Sequence, residues 1–281
     1  MTVPRREPGS DAVPTAAPSA LPDLSDAYAN AVHIPGGEDY PARWAAAAAA
    51  FRAAHPPRTL AHGPGPRDRL DLFRPDGTPQ GLLVFFHGGY WMAFGREDFS
   101  HLAAGALGRG WAVAIPSLPL APGARIGAIV RAAARAAEAA AAQMPDAPLA
   151  LAGHSAGGHL AARLACPDVP LACRSRLACV LAISPLANLA PLMRTAMNAT
   201  LRLDPAECAA ESPLLRPRPP VRVTVWVGEG ERPAFRDQAL WLSRAWDAPL
   251  VVEPGRHHFD VIAGLETPAH ALARTATGEA P

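Results

Sequence analysis

The sequence predicts an α/β chain built on a mainly parallel sheet of about eight strands, with helices on both faces. Three observations lead there. Short apolar runs alternate with helical stretches over most of the chain. Several of those runs are continuously apolar, as strands buried on both faces must be. One of them, Leu149-Ala-Leu-Ala152, runs straight into a Gly-rich turn and then a helix.

Taken in order, Pro41 to His55 reads as a first helix, with Asp39 placed to cap it and His55-Pro56-Pro57 to end it. Arg69 to Phe73 alternates as a strand does, and Pro75-Asp76-Gly77 is a turn. Gly81 to Phe86, Trp111 to Ile115, Pro148 to Ala152, Leu177 to Ile183, Val221 to Val227 and Leu250 to Val252 follow as strands. Helices are expected between them at 100–109, 124–144, 156–165 and 233–246, with 259–275 mostly helical. Residues 185–219 break the rhythm with short helical pieces and then Pro213, Pro217 and Pro219, with Pro220 just after them. They read as an insertion or cap between the sixth and seventh strands.

The bulk numbers narrow the function classes. The length of 281 residues suits one α/β domain, expected over 21–281, and a hydrophobic share of 49% supplies a sizeable core. Residues 1–20, Pro-rich and without periodicity, are expected to be a disordered tail, and no secretory h-region is visible in them. A net charge of +1 gives no field that favours nucleic acid or an anionic membrane. All 26 basic residues are arginine. The Ala-rich stretch from Ile126 to Met144 is interrupted by Arg131, Arg135 and Glu138, so it is read as no membrane span. Cys166, Cys173, Cys179 and Cys208 form no Cys-x-x-Cys pair and read as buried apolar residues of a reducing compartment. The expectation is a cytoplasmic protein with a small-molecule substrate; whether it forms a homodimer stays open.

The chemistry concentrates in three places. Gly153-His154-Ser155-Ala156-Gly157 fits G-x-S-x-G between a buried strand and a helix. Such a turn forces the serine into a sharp, exposed elbow and leaves the Ala156 N–H at a helix N-terminus, aimed at a developing oxyanion. His87-Gly88-Gly89-Tyr90-Trp91 follows the strand from Gly81 to Phe86, where a Gly-rich loop supplies further N–H donors. Gly89 and Tyr90 are the expected donors, and His87 is expected to tie the loop down. A serine hydroxyl also needs a base, and that base needs a carboxylate to hold its tautomer. His257 and His258 follow the last strand, with His258 preferred; Glu229 and Glu231 follow the strand before it, with Glu231 nearer the next helix. Neither metal nor organic cofactor is expected.

These residues resemble the kynurenine formamidase (arylformamidase) branch of the α/β-hydrolases. The branch carries H-G-G-x-W, here His87 to Trp91; G-H-S-A-G-G-H, here Gly153 to His159; and H-F-D, here His258 to Asp260. Its acid loop matches Gly228 to Phe235, with Glu231 where the branch usually has Asp. Residues 27–30, 40–51 and 195–201 fit it as well, so the resemblance spans roughly 25–265. It implies a Ser155–Glu231–His258 triad that hydrolyses N-formyl-L-kynurenine to formate and kynurenine. A narrow acyl pocket is then expected near Tyr90 and Trp91, with the aromatic leaving group packed on the insertion. A short-acyl carboxylesterase using the same site is the alternative.

Overall fold

A computed structural model describes residues 22–281; the expected tail of residues 1–20 lies outside the described residues. The elements in order are α1 (Tyr40–Ala54), β1 (Arg58–Ala61), β2 (Arg69–Phe73), β3 (Leu82–Phe86), α2 (Ala104–Gly108), β4 (Ala112–Pro116), α3 (Ile126–Ala141), β5 (Leu149–His154), α4 (Ala156–Ala165), β6 (Leu177–Ile183), α5 (Asn198–Leu201), α6 (Pro205–Glu211), β7 (Arg222–Gly228), α7 (Pro233–Trp246), β8 (Leu250–Glu253) and α8 (Ala271–Ala276). The eight strands form one sheet in the order β1-β2-β4-β3-β5-β6-β7-β8. β2 runs antiparallel to both of its neighbours, β1 and β4, and the remaining pairings are parallel. This is the α/β-hydrolase fold.

Burial explains the strand sequences. β3, β4 and β5 are buried at every position, so both of their faces must be apolar. Leu82, Val84 and Phe86 enter one core layer, with Ile129 of α3 and Leu160 of α4. Leu83 and Phe85 enter the other, with Trp44 of α1 and Leu272 of α8. The alternation is the two-residue period of a strand seen from both sides. α3 buries Ile126, Ile129, Val130 and a row of alanines while leaving Arg131 and Arg135 outward. Among the described residues no helix is long and apolar enough to cross a membrane. The four cysteines are buried and unpaired.

The structure departs from the sequence reading in places. β1 has no apolar signature, because it is an edge strand with exposed residues, and the sequence reading did not locate it. The expected helices over 100–109 and 259–275 are tighter: 3-10 turns at Ser100–Ala103 and Val261–Glu266 precede the short α2 and α8. Asp39 does not cap α1 with its side chain, because a 3-10 turn over Gly37–Asp39 already carries the backbone into the helix. Residues 185–219 lie between β6 and β7 and bury Leu186, Leu189, Leu192 and Leu201 in the larger core layer.

The strand order reverses between β3 and β5: β4 lies on one side of β3 and β5 on the other. A crevice outside the carboxyl ends of the strands at such a switch point is where open α/β sheets bind ligands. The loops that leave β3, β5, β6, β7 and β8 all carry residues of the site described next.

Candidate active site

Ser155 is the single residue between β5 and α4, with φ 56° and ψ −117°. A non-glycine residue rarely adopts such a conformation, and the surroundings hold it there. The Ser155 N–H donates to Ile183 O at 2.8 Å, and Ser155 O accepts from the His159 N–H at 3.0 Å. The turn fits only because its flanks lack side chains. A Cβ on Gly157 would meet Phe86 O at 1.9 Å, and one on Gly153 would meet Gly157 O at 2.1 Å.

The loop after β3 lies directly over this turn. A Cβ on Gly88 would stand 3.3 Å from Ser155 Cβ. Gly89, Tyr90 and Trp91 all have positive φ, at 102°, 52° and 56°. This run of left-handed residues makes a tight coil, closed by the Met92 and Ala93 N–H groups on Gly89 O at 2.9 and 3.1 Å. Among the described residues the N–H groups of Gly89 and Tyr90 have no protein acceptor, and Ala156 is the first residue of α4, whose N–H has none within the helix. His87 ties the loop down, its Nδ1 2.7 Å from Gly88 O and its ring stacked on Phe99. Burial holds His87 below the ordinary histidine range.

Glu231 and His258 are brought together. The His258 Nδ1–H donates to Glu231 Oε2 at 2.6 Å, with both side chains almost wholly buried. Glu231 Oε1 accepts from the Ser184 hydroxyl at 2.5 Å and from the Gly228 N–H at 2.8 Å. The imidazole lies between two rings, Phe235 at 4.1 Å and His154 at 4.6 Å between centroids. Burial first, and the neighbouring His258 second, push His154 well below the usual histidine range. A neutral His154 places no second cation beside His258. The two alternatives lie elsewhere. Glu229 is exposed and accepts from the Gly255 N–H at 3.2 Å. His257 meets the Tyr40 hydroxyl at 3.2 Å and caps the turn at Phe259 and Asp260.

Ser155 and His258 both line a cavity of about 490 Å³. Its walls correct two expectations. Trp91 is buried in the core, packed edge-on against His159 of α4, and does not line the cavity. The insertion contributes only Ala196 and Met197. Most of the wall comes from the segment before α1, residues 25–38, and from the aromatic rings of Trp44, Tyr90, Phe94, Phe99 and Phe259.

That segment is a strap fastened over its first residues. Leu24 N–H donates to Arg194 O and Ala196 N–H to Ser25 Oγ, both at 2.8 Å. Arg232, next to Glu231, donates to Asp26 O at 3.0 Å and to its carboxylate at 2.5 Å. Two residues further on, the Tyr90 hydroxyl donates to Tyr28 O at 2.6 Å, and Gln238 of α7 donates to the Tyr28 hydroxyl at 2.9 Å. Sequence reasoning missed Ser184, Gln238 and the strap, whose roles depend on long-range contacts with no local pattern.

The comparisons agree on the fold. A family model described as the alpha/beta hydrolase fold matches residues 83–218. A kynurenine formamidase of Salmo salar is 26% identical over 220 residues, 73% of this chain and 75% of that protein. One of Danio rerio is 26% identical over 188 residues, covering 63% and 64%. Among solved structures, a protein of Silicibacter sp. described as a "putative thioesterase" is 50% identical, with a TM-score of 0.88 over 92% of this chain and 100% of that one. A Pyrobaculum calidifontis esterase shares the fold at a TM-score of 0.65 and 22% identity, over 85% and 92%. The chain belongs to the α/β-hydrolase superfamily, in which it resembles the kynurenine formamidases.

Proposed function

We propose that this hydrolase is a serine enzyme that cleaves the formyl amide of N-formyl-L-kynurenine, or of a close aryl formamide, through an acyl-enzyme on Ser155. The observation that carries the reading is the chain of contacts behind one cavity wall. Ser184 and Gly228 orient Glu231, Glu231 takes the Nδ1–H of His258, and His258 shares the cavity lining with Ser155. With Nδ1 protonated, Nε2 is the basic nitrogen. It removes the Ser155 proton as Oγ attacks the formyl carbon. The oxyanion takes the N–H groups of Gly89, Tyr90 and Ala156. His258 then delivers the proton to the departing arylamine. Water, deprotonated by His258, attacks the formyl-serine ester; formate leaves and Ser155 regains its proton.

A formyl group needs little room, whereas an arylamine needs an apolar slot. The rings of Trp44, Phe94, Phe99 and Phe259 supply it, and aromatic pairs at such distances add attraction beyond burial alone. A second reading, thioester or ester hydrolysis by the same residues, is favoured by the Silicibacter relative and its description. Against a thiol carrier rich in phosphate, no arginine lines the cavity among the described residues.

The test is a comparison of kcat/KM for N-formyl-L-kynurenine, an acetyl thioester, and p-nitrophenyl acetate and butyrate, with Ser155→Ala as control. A formamide value at least tenfold above the others supports the formamidase reading. Thioester or ester turnover alone, lost in Ser155→Ala, keeps the nucleophile and replaces the substrate.

A further inference from the structure

Gln238 of α7 is a wholly buried polar side chain that does not line the cavity. Its carboxamide makes three hydrogen bonds. Oε1 accepts from the Asn188 N–H at 2.7 Å, and Nε2 donates to Asn188 O and to the Tyr28 hydroxyl, both at 2.9 Å. The Asn188 N–H can only donate, so it fixes Oε1 on its side and leaves Nε2 for Tyr28. Asn188 lies in the loop after β6, the loop that begins with Ser184. Tyr28 lies in the strap, and its backbone oxygen accepts from the Tyr90 hydroxyl at 2.6 Å. Tyr90 is in the oxyanion loop. One line of hydrogen bonds therefore joins four segments that are distant in the chain. Phe235, three residues before Gln238, packs edge-on against Tyr28 and Tyr90, with centroids 5.7 and 6.5 Å away, and stacks beside His258.

Tyr90 and Trp91 both hold positive φ, at 52° and 56°. A residue with a side chain stays in that region only where its surroundings over-determine it. Burial in the core does this for Trp91. Tyr90 is only half-buried, and among the described residues its side chain makes one hydrogen bond, the one to Tyr28 O. The aim of the Tyr90 N–H thus depends on where Tyr28 stands, and Gln238 sets that. Donors stabilise an oxyanion only if they are aimed before the charge develops. We infer that Gln238 is a positioning residue for the oxyanion hole, holding the Tyr90 N–H on target through Tyr28. The inference rests on the serine mechanism proposed above and applies to formamide and ester alike. Losing one donor outright costs roughly 10²–10³ in kcat, so a donor that is present but loosely aimed costs less.

The test compares p-nitrophenyl acetate with its thionoester, in which sulfur replaces the carbonyl oxygen. Sulfur is larger and a poorer hydrogen-bond acceptor, so the thionoester gains little from well-aimed N–H groups. The readout is the ratio of kcat for the two substrates in wild type, Tyr90→Phe, Gln238→Met and the double variant, per active site counted by end-point fluorophosphonate labelling. The expected result is a fall of about tenfold in kcat for the acetate in each single variant, with KM within about twofold and the thionoester slowed less than threefold. The double variant should be no slower than the worse single one, because both substitutions break the same line. Tyr28→Phe removes the hydroxyl that Gln238 holds and keeps Tyr28 O, so it should lower the same ratio even where Gln238→Met folds poorly. Equal losses on both substrates, a ratio unchanged in the Gln238 and Tyr28 variants, or losses that multiply in the double variant overturn the inference and leave the serine mechanism standing. Acetate turnover that survives Ser155→Ala overturns the serine mechanism, and the inference with it.

Discussion

At the residue scale, two carboxylates and two imidazoles within thirty residues of each other have opposite surroundings. Glu231 is enclosed by three donors, whereas Glu229 sits in solvent on the strand-end turn. Glu231→Gln is expected to lower kcat by a factor on the order of 10³–10⁴, because an amide can neither fix the imidazole tautomer nor balance its charge. His258→Gln should be worse, while Glu229→Gln and His257→Gln should stay within about threefold of wild type in ester turnover. A Glu229 variant as crippled as the Glu231 one would reverse the assignment. The positions of Ser155, of the loop from His87 to Trp91, and of Glu231 and His258 after successive strands were legible in the sequence, because each is tied to a strand end. The choice of Glu231 over Glu229 was only half legible. What separates the two is the Ser184 hydroxyl and the Gly228 N–H, and nothing near Glu231 in the chain announces Ser184.

At the element scale, the β3–β5–α4 junction is where the fold makes the site. Gly157 lies so close to Phe86 and His87 that a methyl group there would sit at 1.9 Å from one carbonyl oxygen and 2.6 Å from the other. Both obstacles are backbone, so the helix must move away from the strand. Gly157→Ala is therefore expected to destabilise by about 3 kcal/mol and to lower activity by widening the gap between Ser155 and the oxyanion loop. Urea unfolding checks the first part; an unchanged midpoint would mean that the junction is softer than its geometry. The same scale shows why strands were read better than helices. β3 to β7 are apolar in ways that only a doubly covered sheet explains. Residues 100–108 and 261–276 carry helical composition but are cut into 3-10 turns by how they meet each other and α1, which local pattern does not encode. The strap is the largest such gap, since it and the aromatic rings supply most of the cavity wall, where the insertion was expected to contribute more.

At the scale of the whole molecule, the structure keeps several histidines neutral. Burial lowers His101 and His159 to about 4, and lowers His87 and His154 from 6.5 as well. Their folded pKa values lie below the unfolded one, so the unfolded chain binds protons first as pH falls. The stability they contribute is fully present above about 6.5 and is lost progressively down to about 4. Thermal melts from pH 7.5 to 4.5 should show Tm falling through that window, with proton uptake on unfolding; a flat Tm would contradict the burial of these rings. Function at this scale depends on five loops from five parallel strands meeting at one switch point, with the strap closing over them. The most direct test of that convergence is labelling of the intact protein with a fluorophosphonate, read by mass spectrometry, in wild type and His258→Ala. The account expects one equivalent on the peptide that carries Ser155 and a rate at least a hundredfold lower in the variant. Labelling at another residue, or an equal rate without His258, would contradict it.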